Sequence, residues 1–189
     1  HRIDRETSGV VAAGLEEVVH GAIRKQFEER TVQKRYLAVV HGTLPAPHGR
    51  IEHPIGPARR SEIRLKLEAR PDGQHARTDY RVVRRNDDYS LVELLPHTGR
   101  THQLRVHMAA VGCPLVGDKL YGPDEAIFLE ALQGELSAES QARLVLDRHA
   151  LHAAELTFWH PGVEQEVSFT APLPADMSAL VADPSSARE

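Results

Sequence analysis

One carboxylate and one arginine stand out as groups whose chemistry depends on meeting each other. Asp4 lies in His1-Arg2-Ile3-Asp4-Arg5-Glu6-Thr7-Ser8-Gly9, and Arg105 in Thr98-Gly99-Arg100-Thr101-His102-Gln103-Leu104-Arg105-Val106-His107. Together these blocks offer an acid and a guanidinium to hold it, which suits an enzyme built around Asp4. Each residue also has a plainer role. Between two arginines and just ahead of Glu6-Thr7-Ser8-Gly9, a short carboxylate caps a turn through backbone N–H groups. Arg105, in a segment with helical character, would then be an ordinary helix-surface charge. On an ideal helix Arg100 and Arg105 point about 140° apart, so they cannot serve one site equally. Arg100, near the N-terminal end of that helix, suits a phosphate or a structural carbonyl.

Other chemistries fit less well. His97, His102 and His107 recur at five-residue steps and diverge around a helix, whereas a helical zinc pair needs four, and no His-Glu-x-x-His is present. We expect no metal. Cys113 is the single cysteine, so neither an internal disulfide nor a cysteine zinc site within one chain is available. Gly42, Gly49 and Gly56 do not make a phosphate-cradling loop. A hydrolase pairing Asp4 with a histidine lacks any accompanying serine, cysteine or metal motif. Tyr36 sits among Leu37, Val39 and Val40 and reads either as a core tyrosine or as a platform for a nucleobase, worth about 1–3 kcal/mol.

The elements that must position these groups follow from periodicity. Gly9 to Ala13 reads as a short strand, and Leu15 to Glu29 as a helix with Leu15, Val18, Val19, Ala22, Ile23 and Phe27 on one face. Gln33 to Val40, Arg50 to Ile55 and the alternating Ser61 to Ala69 read as strands. Ala76 to Arg85 with Tyr89 to Leu95 forms a hairpin around Asn86-Asp87-Asp88. Arg100 to Val111 is expected to be a helix ended by Gly112, Ala126 to Leu132 another, and Gly134 to Arg148 has no clear assignment. Ala150 to Trp159 and Glu164 to Thr170 form a closing hairpin, and the chain from Pro172 is expected to fray. Strands dominate without repeats, which favours an α+β domain around a mostly antiparallel sheet.

The net charge of -4 hides an asymmetry: residues 1–117 carry 19 Lys+Arg against 14 Asp+Glu, and residues 118–189 carry 4 against 13. A basic part able to face phosphates suits an RNA binder better than the total does, although such charges also merely solvate a surface. Arg59, Arg60, Arg64, Lys66 and Arg70 cluster in one stretch, and Arg77 and Arg81 share a strand face with Asp79. No stretch approaches the roughly 20 apolar residues of a membrane span, so the simplest compartment is the cytoplasm. Nothing in the sequence demands more than a monomer.

With Lys34-Arg35-Tyr36-Leu37-Ala38-Val39-Val40-His41-Gly42 and Gly117-Asp118-Lys119-Leu120-Tyr121-Gly122, the first two blocks resemble the RluA-type RNA pseudouridine synthases in type, order and approximate spacing. HRxDxxTSG carries the catalytic aspartate of that family, and Asp4 occupies its place, with Ile3 for the commoner leucine. The resemblance implies the pseudouridine synthase fold, an α+β domain whose mostly antiparallel central sheet has flanking helices. It implies isomerisation of specific uridines in structured RNA, rRNA or tRNA, to pseudouridine without cofactor or metal. Asp4, Arg105 and Tyr36 would be catalytic: Arg105 would hold Asp4 ionised through a bidentate contact, and Tyr36 would pack on the target base. Tyr121 would support the site. We expect Arg2, Arg100, His102, Arg59 and Arg60 to contact RNA, and Pro54 to Gln74 to tune specificity. Because the chain opens at His1 inside a motif, we expect residues 1–175 to be a catalytic domain lacking its N-terminal part, which in some members follows an S4-like domain, and 176–189 to be a flexible tail. An inactive RNA-binding module of the same fold is the alternative.

Overall fold

A computed structural model describes residues 1–134 and 136–182. In chain order the elements are β1 (Ser8–Gly9), α1 (Glu17–Glu29), β2 (Gln33–His41), β3 (His48–Ile51), β4 (Ile55–Pro57), β5 (Leu67–Ala69), β6 (Thr78–Arg85), β7 (Tyr89–Pro96), α2 (Gln103–Ala110), α3 (Ala126–Gln133), α4 (Ala138–Leu144), β8 (Leu151–His160), β9 (Gln165–Thr170) and α5 (Ala175–Leu180). One sheet runs β1-β8-β2-β7-β6-β3 with β9 also on β8, and β4 and β5 pair separately. Every pairing is antiparallel except the short parallel one between β1 and β8.

The run Leu37-Ala38-Val39-Val40 explains why β2 is central, since a strand covered on both faces needs no polar alternation. Ala38 and Val40 face a core with Leu94, Leu104 and Met108, which brings α2 onto that side. Val39 points oppositely, to Leu91, Val116, Met177 and Val181. That second core overturns the expectation that the chain frays from Pro172. Met177 and Val181 are fully buried against the sheet, and the turn of helix carrying them closes its far face. Residues 183–189 lie outside the described ones. No helix among the described residues is long and apolar enough to cross a membrane.

Three further expectations need correction. Leu15 and Val18 are 99% and 82% exposed, so the buried face of α1 narrows to Val19, Ile23 and Phe27 against Leu156 and Phe158 of β8. Of Ser61 to Ala69 only β5 is a strand, because a turn closed by the Lys66 N–H on the Ile63 carbonyl (2.9 Å) buries Ile63 and turns Leu65 outward. The helix expected from Arg100 starts at Gln103, because His102 has left-handed backbone angles, φ 54° and ψ 17°. The unassigned stretch after Gly134 contains α4, capped by the Ser137 side chain.

Candidate active site

Asp4 is placed by the docking of its own segment. The Thr7 N–H donates to the Asp4 carbonyl (3.0 Å), closing a turn, and Ser8 and Gly9 then run beside His152 and Ala153 of β8. Thr7 Oγ1 lies 2.8 Å from His149 Nε2, and Ser8 Oγ lies 2.9 Å from His152 Nδ1. Burial, with the charge of Arg105 adding, pushes the His149 imidazole down to about 4, so at neutral pH it meets Thr7 uncharged. Glu6 anchors the same turn from outside, accepting from Lys119 Nζ at 2.8 Å and from the His149 N–H at 3.3 Å.

Arg105 projects from α2 toward this turn, and its Nη1 donates to Asp4 Oδ2 at 3.1 Å. The bidentate contact expected with Asp4 is made with Asp118 instead: Nε donates to Oδ2 at 2.7 Å and Nη2 to Oδ1 at 2.8 Å. Geometry dictates the division. The fully buried Asp118 occupies the edge of the guanidinium formed by Nε and Nη2 and leaves Nη1 to face Asp4. Asp118 Oδ1 also accepts the Leu120 and Tyr121 N–H groups, both at 3.0 Å. Burial alone would raise the Asp118 carboxyl, but the hydrogen bonds and charge of Arg105 outweigh it and hold it below the ordinary carboxylate value. Burial likewise works against the Arg105 charge, and Asp118 and Asp4 more than restore it. Gly117 has φ +73°, and a Cβ there would overlap the Arg148 carbonyl, so the chain can enter Asp118 this way only with glycine. Behind the pair, Tyr121 lies with its ring 4.9 Å from Arg105 Cζ.

Asp4 and Arg105 open onto a cavity of about 460 Å³. Tyr36 lines it from β2, where a register shift between Arg35 and Tyr36 interrupts the pairing with β8. Burial, with the Asp4 charge adding, pushes the Tyr36 phenol up to about 12, so it stays protonated. Five further cations, Arg2, Arg24, Arg30, Lys34 and Arg100, line the cavity against the carboxylates of Asp4 and Glu28. Burial and the Arg30 charge lower the Lys34 ammonium. Such a rim attracts anionic groups such as phosphates, and the tyrosine wall suits a flat ring.

Of the residues expected to contact RNA, Arg2, Arg100 and His102 line this cavity, and Arg100 Nε donates to the His75 carbonyl at 3.1 Å. Arg59 and Arg60 do not line it; Arg59 reaches Asp72 at 2.7 Å. The three tested histidines have separate partners: His97 meets Asp79, His102 meets Tyr121, and His107 meets Thr78 and the His53 carbonyl. Sequence reasoning gave no role to Asp118, His149, Lys34, Arg24 or Arg30. Asp118 had a signal in the glycine-aspartate pair ahead of Tyr121 and Lys34 in its place two residues before Tyr36, whereas His149, Arg24 and Arg30 become neighbours only through the fold.

An acid–arginine pair at the mouth of a basic cavity, on a mixed sheet of this order, suits an anionic, ring-bearing ligand. The family described as RNA pseudouridylate synthase matches residues 1–110, and the chain belongs to that family. It is 39% identical to a Bacillus subtilis protein named uncharacterized RNA pseudouridine synthase YlyB, over 96% of this chain and 54% of that one. It is 37% identical to the ribosomal large subunit pseudouridine synthase D of Vibrio cholerae, over 94% of this chain and 52% of the relative. RNA pseudouridine synthase 2, chloroplastic, of Arabidopsis thaliana is 35% identical over 96% of this chain and 45% of its own length. The chain thus spans about half the length of these relatives. The solved structure of human RNA pseudouridylate synthase domain containing 1 superposes with a TM-score of 0.73 at 30% identity, covering 91% of this chain and 67% of that one.

Proposed function

We propose that this chain carries the site at which uridine in structured RNA is isomerised to pseudouridine. The observation that carries the reading is Asp4 held by Arg105, itself braced by Asp118, at the mouth of a cavity with a tyrosine wall and a cationic rim. A stacked base is out of reach of such a cavity, so the target nucleotide flips in, and loops or bulges are the cheaper targets. Tyr36 packs on the uracil, and Arg2, Arg100 and His102 contact the RNA around it. Arg59 and Arg60 reach RNA farther from the reacting base. Asp4 acts as nucleophile toward the ribose. As an Asp4 carboxylate oxygen bonds to C1′, the bond from C1′ to N1 breaks; the detached uracil turns in place, C5 attacks C1′, and the bond to Asp4 breaks, returning the carboxylate. N1 gains a proton and C5 loses one, so the base leaves with its atoms unchanged in number and no cofactor is consumed. The name ribosomal large subunit pseudouridine synthase D, carried by two relatives, supports rRNA as a substrate class; tRNA as the other class and the cytoplasm as the setting belong to the proposal.

The test is tritium release from ribosomal and transfer RNA labelled at uridine C5, comparing the protein with Asp4→Asn. Release by the parent alone is expected. An equal release by Asp4→Asn would remove Asp4 from the chemistry, and binding of RNA with no release by the parent would favour the inactive binding module.

A further inference from the structure

His102 occupies a backbone conformation that side chains rarely adopt, φ 54° and ψ 17°, immediately ahead of α2. Strain of this kind persists where the surroundings impose it, and it clusters at functional sites. The imidazole lines the Asp4 cavity and is only partly buried. Its Nδ1 lies 2.8 Å from the Tyr121 hydroxyl, the one hydrogen bond its side chain makes among the described residues.

The partners of that hydroxyl fix which ring nitrogen holds the proton. Tyr121 is 8% exposed, and its oxygen accepts the Leu67 N–H at 3.1 Å. The phenol has one proton to give, and His102 Nδ1 is its acceptor within hydrogen-bond distance among the described residues. With the ring proton on Nδ1, two donors would compete for the phenol oxygen and the phenolic proton would stay buried without a partner, which is costly. Tyr121 therefore donates to Nδ1, and the ring proton sits on Nε2. Burial and the Arg105 charge lower the imidazole, which keeps the ring neutral. Arg105 over the Tyr121 ring holds the phenol in place.

On the basis of the pseudouridine synthase reading, we propose that His102 determines specificity by donating its Nε2–H to a carbonyl oxygen of the flipped base, with Tyr121 as the positioning residue that fixes the tautomer. A single neutral donor suits a neutral oxygen, and the cations Arg2, Arg30, Lys34 and Arg100 already line the cavity for phosphates. Uracil offers carbonyl oxygens at positions 2 and 4. Cytosine keeps the oxygen at position 2 and carries an amino group at position 4, so His102 distinguishes the bases by meeting position 4, where its donor would face another donor in cytosine.

The experiment has two parts on the same proteins. Nitrogen-15 NMR of labelled histidine reads the tautomer, with Nε2–H expected for His102 and a shift toward Nδ1–H in Tyr121→Phe. Single-turnover tritium release is then followed on ribosomal RNA transcripts carrying C5-labelled uridine, 2-thiouridine or 4-thiouridine, sulfur being the weaker acceptor. The parent is expected to lose about tenfold in rate with the 4-thiouridine transcript, the scale of a lost hydrogen bond; the same loss with 2-thiouridine alone would overturn the specificity role. His102→Ala is expected to lose about tenfold on uridine RNA and nothing further on the 4-thiouridine transcript. His102→Asn, which tolerates the left-handed backbone and keeps an N–H, should recover part of the rate. Thermal melts confirm that each variant unfolds cooperatively. An Nδ1–H tautomer in the parent, or equal thio penalties with and without His102, overturns this inference alone. A parent that releases no tritium overturns the pseudouridine synthase reading and this inference with it.

Discussion

Asp118 and His149 touch nothing in the cavity's open space, yet the position of Asp4 depends on both. In Asp118→Asn, one carboxylate oxygen becomes an NH2 group, so whichever way the amide turns a donor faces an Arg105 N–H. Arg105 keeps Asp4 as its remaining charged partner, and the loss of half a buried ion pair is expected to cost about 3 kcal/mol or more in urea unfolding. Tritium release should fall further than in any variant of the rim. A fully stable Asp118→Asn protein with parental turnover would show that Arg105 does not need this brace. His149 yields a pH prediction. Its folded value of about 4 lies below the roughly 6.5 of an unfolded histidine, so between these limits the unfolded chain binds more protons. Its contribution is present above about 6.5 and is lost as the pH falls toward 4, on the order of 3 kcal/mol in all. Burial lowers His41, His102 and His107 as well, so the slope has several sources. His149→Gln should flatten the fall in stability between pH about 7 and about 4.5 without abolishing it. An unchanged slope would mean that His149 titrates normally in the folded protein.

At the scale of elements, the link that matters is between β1 and β8, because it carries the Asp4 turn with few residues. Gly9 sits at φ +111°, and a Cβ there would overlap the Ala153 carbonyl. Neither strand can yield without moving the Asp4 turn or β2. Gly9→Ala is therefore expected to cost about 1–3 kcal/mol and to reduce turnover more than RNA affinity. A variant with parental melting and turnover would show that the N-terminal turn is held by Thr7 and Glu6 alone. The sequence made β2, the β6–β7 hairpin and the β8–β9 hairpin legible, because each repeats a local pattern that the sheet then uses. It misread α1, since Leu15 and Val18 have the spacing of a buried face but are 99% and 82% exposed, with no element covering them among the described residues. It misread α5 because six residues show no helical period, and only the open face around Val39 and Val116 explains why Met177 is buried. The site was read in the same uneven way. Asp4, Arg105 and Tyr36 are recognisable within their blocks, whereas Arg24 and Arg30 come to the cavity because α1 crosses β8, which no spacing along the chain encodes.

Across the whole molecule, the acidic C-terminal part does more than balance the net charge. Several of its carboxylates reach back to cations of the first part: Asp118 to Arg105, Glu125 to Lys66, and Glu155 to Arg35. Glu125 and Glu155 neutralise cations that do not line the cavity, Asp118 neutralises one that does, and the basic surplus around Asp4 remains with Arg2, Arg24, Arg30, Lys34 and Arg100, all from residues 1–117. RNA binding through this rim should weaken steeply with salt, because each phosphate neutralised releases condensed counterions, at a slope of about 0.7 per contact for a single strand. Arg2→Gln and Arg30→Gln are each expected to reduce the log–log salt slope by about 0.7. Arg59→Gln should change it less, since Asp72 already sits 2.7 Å from that guanidinium. The measurement is a salt titration of affinity for a ribosomal RNA fragment, with the parent and the three variants at the same temperature and pH. A loss of slope in Arg59→Gln equal to that in Arg30→Gln would move the phosphate path out of the cavity and onto the segment between β4 and β5, and the cationic rim would then serve the target nucleotide alone.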